Sequence, residues 1–235
     1  YMNKMNFKRY RMQSKIILVT TACLIFLPAV FFFVYDLKNL PAGQRLLAAT
    51  FQSVTTRTAG FNTINISEMS EASSAVMILL MLIGGGTGST AGGIKQIRVC
   101  IMLKSLCWSI RSKISQKRLI HADGIYRISG YEYLKAEERL EASDFILLYL
   151  GVFAAGTFIL CACGFGIGDS MFEFASALGT VGLSVGITGY DASPVVLWTE
   201  TVGMLAGRLE IYVIFVAAVQ FGREIKDGYK KTEGR

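Results

Sequence analysis

Long apolar stretches alternate with polar, charge-bearing ones along the chain. Residues 16–35 are 20 without a charged side chain, residues 72–94 are 23, and residues 145–168 are 24. Each reaches the roughly 20 residues needed to cross a bilayer core about 30 Å thick. A fourth stretch, 192–222, is interrupted by Glu200, Arg208 and Glu210. Residues 174–190 are uncharged but hold Gly179, Gly182, Gly186 and Gly189, too short and too rich in glycine for a straight spanning helix. The pattern predicts four spans, the first kinked at Pro28 and tolerated because neighbouring helices can absorb the kink.

Composition agrees with that pattern. Of 235 residues, 52% are hydrophobic and only 17% charged, and mean hydropathy is +0.46; a soluble domain carries about 25% charged residues. An ordinary water-soluble enzyme, a disordered chain and a disulfide-stapled secreted module are excluded. The net charge of +7 is a topology signal: 20 of the 24 basic residues fall in 4–15, 95–139 and 223–235. Basic residues gather on the cytoplasmic side, so both termini and the central segment are expected there, which requires an even number of crossings. No basic surface remains outside these flanks for nucleic acid. The first span is too long for a signal peptide and lacks a cleavage site after it. Because the chain starts at Tyr1, a fragment or truncated gene product is expected.

Cysteine chemistry adds little. Cys23, Cys100, Cys107, Cys161 and Cys163 all fall in spans or on the side where thiols stay reduced. The Cys161–Cys163 pair inside an apolar helix, with His121 the only histidine, reads as packing and not as a metal site. No nucleophile–base pair or cofactor motif is present, so enzymatic chemistry is not expected.

The two external segments share one plan. In the first, Pro41 opens a short helical stretch through Phe51, followed by Thr55, Thr56, Arg57, Thr58, Ala59, Gly60 and Phe61. In the second, residues 169–173 open another, with capping-box spacing from Ser170 to Glu173, followed by Gly179, Thr180, Val181, Gly182 and Leu183. Pro41 suits a first-turn position, and Phe51 and Ser53 correspond to Phe174 and Ser176. Polar, glycine-rich backbone at membrane depth is tolerated where it lines a water-filled path. A half-helix stopping at a Thr-x-Gly turn aims its negative dipole end at the membrane centre, and carbonyls there can replace the hydration shell of an alkali cation. One such turn reads equally as an ordinary loop; two in register do not.

Thr180-Val181-Gly182 resembles the selectivity-filter signature of potassium channels. The segments 53–61, 84–95 and 207–210, in that order, resemble the Trk/Ktr/HKT superfamily of potassium transporters, with Gly207-Arg208-Leu209-Glu210 more similar to the Trk branch. The resemblance implies a pore of four span–pore helix–span repeats, of which this chain matches the third and fourth, about half a pore. It implies potassium coordinated by Thr58, Ala59, Gly60, Thr180, Val181 and Gly182, and no other metal. It also implies a homodimer of full-length subunits and a cytosolic nucleotide-binding regulatory ring, for which 95–139 is a plausible contact. Anionic lipid headgroups are the alternative partner for that segment.

Residues 84–95 hold Gly84, Gly85, Gly86, Gly88, Gly92 and Gly93 with Thr87, Ser89 and Thr90, and Lys95 closes the stretch. Six glycines in a helix cost about 6 kcal/mol relative to alanine. Three readings compete: a nucleotide P-loop with displaced lysine, a small-xxx-small packing stripe along Gly84, Gly88 and Gly92, and a broken helix. The resemblance implies the third, an intramembrane gate loop below the filter. Arg208 is the second oddity, since a charge in mid-span costs at least about 2.5–3.5 kcal/mol. Packing against a carboxylate or carbonyls would explain it; the resemblance implies a pore charge beside the gate loop, holding loop carbonyls, with Lys95 grouped beside it. Glu210, two residues on, lies on another helix face.

The outer approach holds Asp169, Glu173, Asp191 and Glu200 with no base among them. A one-sign surface would concentrate cations, or these residues are simply solvated. The expected fold is an all-α integral membrane protein with four transmembrane helices and two re-entrant pore half-helices. It divides into a cytoplasmic segment (1–15), a pore repeat (16–103), a cytoplasmic connection (104–140) that is helical at first and turn-rich around 121–130, a second pore repeat (141–222) and a cytoplasmic tail (223–235). The expected location is the plasma membrane and the expected activity potassium uptake. The alternative is a non-transporting membrane scaffold or orphan assembly subunit, whose glycines serve helix packing alone.

Overall fold

In a computed structural model, residues 12–114, 124–127, 130–133, 136–208 and 220 are described. Seven α-helices and one small hairpin follow in order among them: α1 (Met12–Tyr35), α2 (Ala42–Thr55), α3 (Glu71–Leu82), α4 (Gln96–Ile114), β1 (Gly124–Arg127), β2 (Gly130–Tyr133), α5 (Ala136–Ala162), α6 (Ile167–Leu178) and α7 (Pro194–Arg208). Nearly all of the expected segment 1–15, residues 209–219 of the last span with Glu210, and the tail 223–235 lie outside the described residues.

Helix α1 covers the first charge-free stretch and runs on through Pro28. Together with α5 it is long and apolar enough to cross a membrane. The 23-residue stretch 72–94 does not form one helix. Helix α3 starts with Ser70 as N-cap, its side chain accepting from the Ser73 N–H, and ends at Leu82 where the glycines begin. At 1.5 Å per residue its 12 residues reach about 18 Å. The chain then leaves helical geometry until α4, which supplies the helical first half of the central segment.

Three sequence expectations shift. Helix α5 begins at Ala136, well before the charge-free stretch, because Glu137, Glu138, Glu141 and Asp144 interrupt apolarity without breaking a helix. It ends at Ala162, where Gly164 turns the chain at φ 100°. The tail of that stretch therefore belongs to α6, whose N-cap is Gly166. Ser170 is accordingly an interior, buried position of α6 and forms no capping box with Glu173; Pro41, likewise, is the N-cap of α2 and not its first turn. The connection is not purely turns either. Strands β1 and β2 pair antiparallel, Gly124 opposite Tyr133, so the all-helical expectation fails there and holds for the other described elements.

Helix α6 is the hub, packed against α3, α5 and α7, while α2 lies on α1. Its Phe174 is 2% exposed. A Cβ on Gly156 of α5 would sit 2.1 Å from that ring, and one on Gly203 of α7 2.9 Å. Farther down α7, a Cβ on Gly207 would lie 1.9 Å from the Leu178 carbonyl oxygen. The Gly203-xxx-Gly207 face thus lets two backbones approach closely. The core is otherwise apolar, with Phe32, Met77, Met81, Tyr149, Leu160, Phe172 and Leu178 buried.

Candidate functional site

Both Thr-x-Gly turns emerge from the C-terminal end of a short helix, α2 ending at Thr55 and α6 at Leu178. The first turn has one more residue between helix and threonine. The expected match of Phe51 with Phe174 is therefore offset by one, and Phe51 is exposed where Phe174 is buried. Among the described residues, the non-glycine residues with positive φ are Thr58 at 63° and Thr180 at 52°. Two positions on, Gly60 stands at 74° and Gly182 at 99°. A left-handed residue with a Cβ costs about 1–2 kcal/mol, and such strain persists only where the surroundings over-determine it.

Those surroundings hold the amides and give the carbonyls no hydrogen-bond donor. The N–H groups of Ala59 and Gly60 donate to the Thr55 carbonyl at 3.1 and 3.2 Å, and that of Val181 donates to the Ser176 carbonyl at 2.8 Å. Gly182 N–H donates to Ser176 Oγ at 3.1 Å. Among the described residues, no N–H or O–H donates to the carbonyls of residues 58–60 or 180–182. Within each turn φ is positive at the threonine and at the glycine but not at the residue between them. The two turns also adjoin: a Cβ on Gly60 would lie 2.0 Å from the Val181 carbonyl oxygen and 3.2 Å from Gly182 Cα.

Residues 83–95 form a loop pinched at its base. Ile83 and Ile94 make an isolated parallel bridge, Gly84 N–H donates to the Ile94 carbonyl at 2.9 Å, and Ile94 N–H donates to that of Leu82 at 2.9 Å. Glycine is required at the pinch, since a Cβ on Gly84 would sit 1.9 Å from the Gly92 carbonyl oxygen. Gly92 itself lies against the second turn, its Cβ position 2.5 Å from Thr180 Oγ1 and 2.7 Å from the Gly179 carbonyl oxygen. Thr180 Oγ1 is buried without a hydrogen-bond partner. Gly86 abuts Ile17 of α1, and Gly85 packs on Ser89 and Ala91. The Ser89 hydroxyl donates to the Gly86 carbonyl at 2.7 Å. Gly88, at φ 82°, has nothing within 4 Å, so the packing-stripe reading fails at its central member. The P-loop reading fails too, because α3 and not a strand leads into the loop.

Three cations hold loop carbonyls. Arg57, between α2 and Thr58, donates to the carbonyls of Leu80 at 3.2 Å, Gly84 at 2.8 Å and Ile83. Lys95 Nζ donates to those of Ser89 at 3.3 Å and Ala91 at 2.9 Å. Arg208 Nη1 reaches the Thr90 carbonyl at 2.5 Å. The loop is thus tied to the first turn by Arg57, to α7 by Arg208, and packed on the second turn at Gly92; Thr87 stands in its exposed part. Arg57 had no role in the sequence reading, where it counted only as an external base. Its signal is a cation embedded in a filter-like motif.

The acidic approach is not one surface. Asp169 and Asp191 are exposed, whereas Glu173 is 2% and Glu200 4% exposed. Glu173 accepts from Ser184 Oγ at 2.6 Å, from the N–H groups of Val185 and Thr188 at 3.0 Å each, and from the Thr188 hydroxyl. Thr188 Oγ1 also lies 2.7 Å from both oxygens of Glu200. These carboxyl groups face inward because the chain leaving the second turn folds over them. Among the described residues, no group of three or more His, Cys, Asp or Glu could hold a metal ion.

Residues 6–223 match the TrkH family, described as a cation transport protein. An uncharacterized cation transporter of Methanocaldococcus jannaschii is 33% identical over 67% of this chain and 32% of its own length. Ktr system potassium uptake protein B of Bacillus subtilis is 32% identical over 80% of this chain and 41% of its own. The crystal structure of the potassium transporter TrkH from Vibrio parahaemolyticus superposes with a TM-score of 0.74 at 21% identity, covering 88% of this chain and 44% of that one. The chain spans less than half the length of each.

Proposed function

Since the chain belongs to the TrkH family of cation transport proteins, we propose that it supplies two filter turns and the gate loop of a potassium uptake pore in the plasma membrane. The observation that carries this reading is the pair of left-handed threonines. Thr58 and Thr180, each followed two residues on by a left-handed glycine after the end of a short helix, lie in turns whose carbonyls receive no hydrogen bond from a described group. An alkali cation passing the turns exchanges its hydration shell for such carbonyls, and the C-terminal ends of α2 and α6 add negative potential. The unpartnered Thr180 hydroxyl supplies a further oxygen at the base of the second turn.

In this reading each turn belongs to one span–pore helix–span repeat, α1–α2–α3 with α4 and α5–α6–α7. Exposed apolar side chains on α1, α5 and α7, among them Phe26, Leu27, Leu147, Phe158 and Trp198, suit a lipid environment. The loop 83–95 lies below the turns, where Gly92 touches Thr180, and closes the path until Arg57, Lys95 and Arg208 release its carbonyls. The basic segments place both termini and the connection in the cytoplasm. There the connection meets anionic lipid or a nucleotide-binding ring on a homodimer of full-length subunits, the arrangement the family resemblance implies.

The test is rescue of potassium-uptake-deficient cells by the complete gene product containing this chain, with Gly182→Ser beside the native sequence. Growth at low potassium that is restored by the native protein and lost in Gly182→Ser is the expected result. Failure of the native protein to restore growth, or equal growth of both, overturns the reading.

A further inference from the structure

The cluster of Glu173, Thr188 and Glu200 contains more close oxygen–oxygen contacts than the hydroxyl between them has protons. Thr188 Oγ1 meets Glu173 Oε1 on one side and the Glu200 carboxyl on the other. A threonine hydroxyl has one proton and can donate once. The second contact needs a proton from a carboxyl group, because two bare carboxylates facing one hydroxyl leave an acceptor pressed on an acceptor. We propose that Glu200 carries that proton, so that a relay runs from the Glu200 carboxylic acid to Thr188 Oγ1 and from the Thr188 hydroxyl to the Glu173 carboxylate. Glu200 thereby acts as a positioning residue for the chain leaving the second filter turn.

The donors around each acid decide between them. Glu173 faces two backbone N–H groups, those of Val185 on one oxygen and Thr188 on the other, and an N–H can only donate. Ser184 Oγ also donates to it at 2.6 Å. With donors on both oxygens, Glu173 faces no described acceptor to which a proton of its own could be directed. Among the described residues, Glu200 meets a single side-chain partner, the Thr188 hydroxyl, whose proton is directed to Glu173. The ionisable group facing Glu200 across Thr188 is Glu173 of α6. Asp169 of α6 and Asp191 after the second turn are exposed, and the part of α5 from Phe145 to Ala162 carries no Asp, Glu, His, Lys or Arg, its titratable side chains being Tyr149 and Cys161. A single buried negative charge, met by four donors, is the state that low-dielectric surroundings tolerate.

The consequence reaches the filter. Residues 184–188 are fastened to α6 through Glu173, and Thr188 is fastened to α7 through Glu200, while Ser176 of the same α6 holds Val181 and Gly182. Removing the Glu200 proton would leave two facing carboxylates and loosen the segment that follows Gly182.

The amide swap tests this. Glutamine at 200 reproduces a neutral donor towards Thr188, whereas glutamine at 173 turns an NH2 group towards N–H donors. In the complete gene product, Glu200→Gln is expected to keep potassium uptake within about twofold and Glu173→Gln to lose about tenfold or more, the loss that follows from stranding buried donors. Thr188→Ser should retain uptake and Thr188→Val lose it. Independently of transport, infrared difference spectra of the purified protein in lipid, recorded between neutral and alkaline pH, should show the C=O stretch of a protonated carboxylic acid. That band should be absent in Glu200→Gln and present in Glu173→Gln. A band abolished by Glu173→Gln instead, or no band assignable to either acid, overturns the relay without touching the transport reading.

Discussion

Arg57 reaches across from the first Thr-x-Gly turn to Gly84, its Nη2 donating to the Gly84 carbonyl at 2.8 Å while Nη1 serves Leu80 and Ile83. The last turn of α3 has no intrahelical partners for its final carbonyls, and a cation is favoured at a helix C-terminus for the same reason. One side chain therefore ends α3, starts the loop and fixes the approach to Thr58.

The planar guanidinium should be irreplaceable in that role. Lysine keeps the charge but offers a point donor in place of a fork. Glutamine removes the charge and leaves buried carbonyls without donors, at about 1–3 kcal/mol each. Potassium uptake by the complete gene product is expected to fall in the order native, Arg57→Lys, Arg57→Gln. Equal rates for all three would show that the loop needs no such tether.

Arg208 contacts the loop through the backbone of Thr90, not its side chain. Arg208→Ala should therefore change the uptake rate, whereas Thr90→Ala should leave the contact and the rate intact. If Thr90→Ala reproduces the Arg208→Ala phenotype, the carbonyl contact is not what matters at this position.

The loop glycines separate into two kinds. At Gly92 a methyl would press on Thr180 Oγ1 and the Gly179 carbonyl oxygen, at 2.5 and 2.7 Å. At Gly88 there is open space, and the penalty is conformational, about 1–2 kcal/mol for a left-handed residue with a Cβ. Gly92→Ala should distort the second turn and abolish selective uptake, with Gly88→Ala reducing it modestly. Uptake rates of the two variants in the presence of competing sodium measure the difference.

Much of this was legible in the sequence because the signals were one-dimensional. A charge-free stretch marks α1, six glycines in ten residues mark the break after Leu82, and Thr-x-Gly after a short helix marks each turn. What depended on the third dimension was not legible. Ser170 and Glu173 have capping-box spacing, yet α6 starts four residues earlier at Gly166, and the Glu173 carboxyl is taken by Ser184, Val185 and Thr188. Charge counting placed Glu173 and Glu200 on a wet outer surface because nothing in their spacing reveals that one threonine joins them. The charge-free stretch from Phe145 likewise misses the start of α5 at Ala136, because glutamates prolong a helix as readily as apolar residues do. Arg57 was counted by its side of the membrane, and only the fold shows which carbonyls it meets.

Helix packing around Phe174 gives a prediction independent of transport. A Cβ on Gly156 would fall 2.1 Å from the Phe174 ring, so Gly156→Ala must displace the aromatic side chain or part α5 from α6. Overpacking of this kind costs about 1–3 kcal/mol. Gly151, one and a half turns earlier on the same helix, has nothing within 4 Å, and alanine there should stabilise the helix by up to about 1 kcal/mol. Thermal unfolding in detergent should thus rank Gly151→Ala at or above native and Gly156→Ala below it. Shortening the ring with Phe174→Leu opens a gap alone but makes room for the methyl group. The double variant Gly156→Ala/Phe174→Leu should therefore be more stable than the two single losses added together. Residues in contact show such coupling at about 0.5–3 kcal/mol. Strict additivity would mean that α5 and α6 do not meet at this pair.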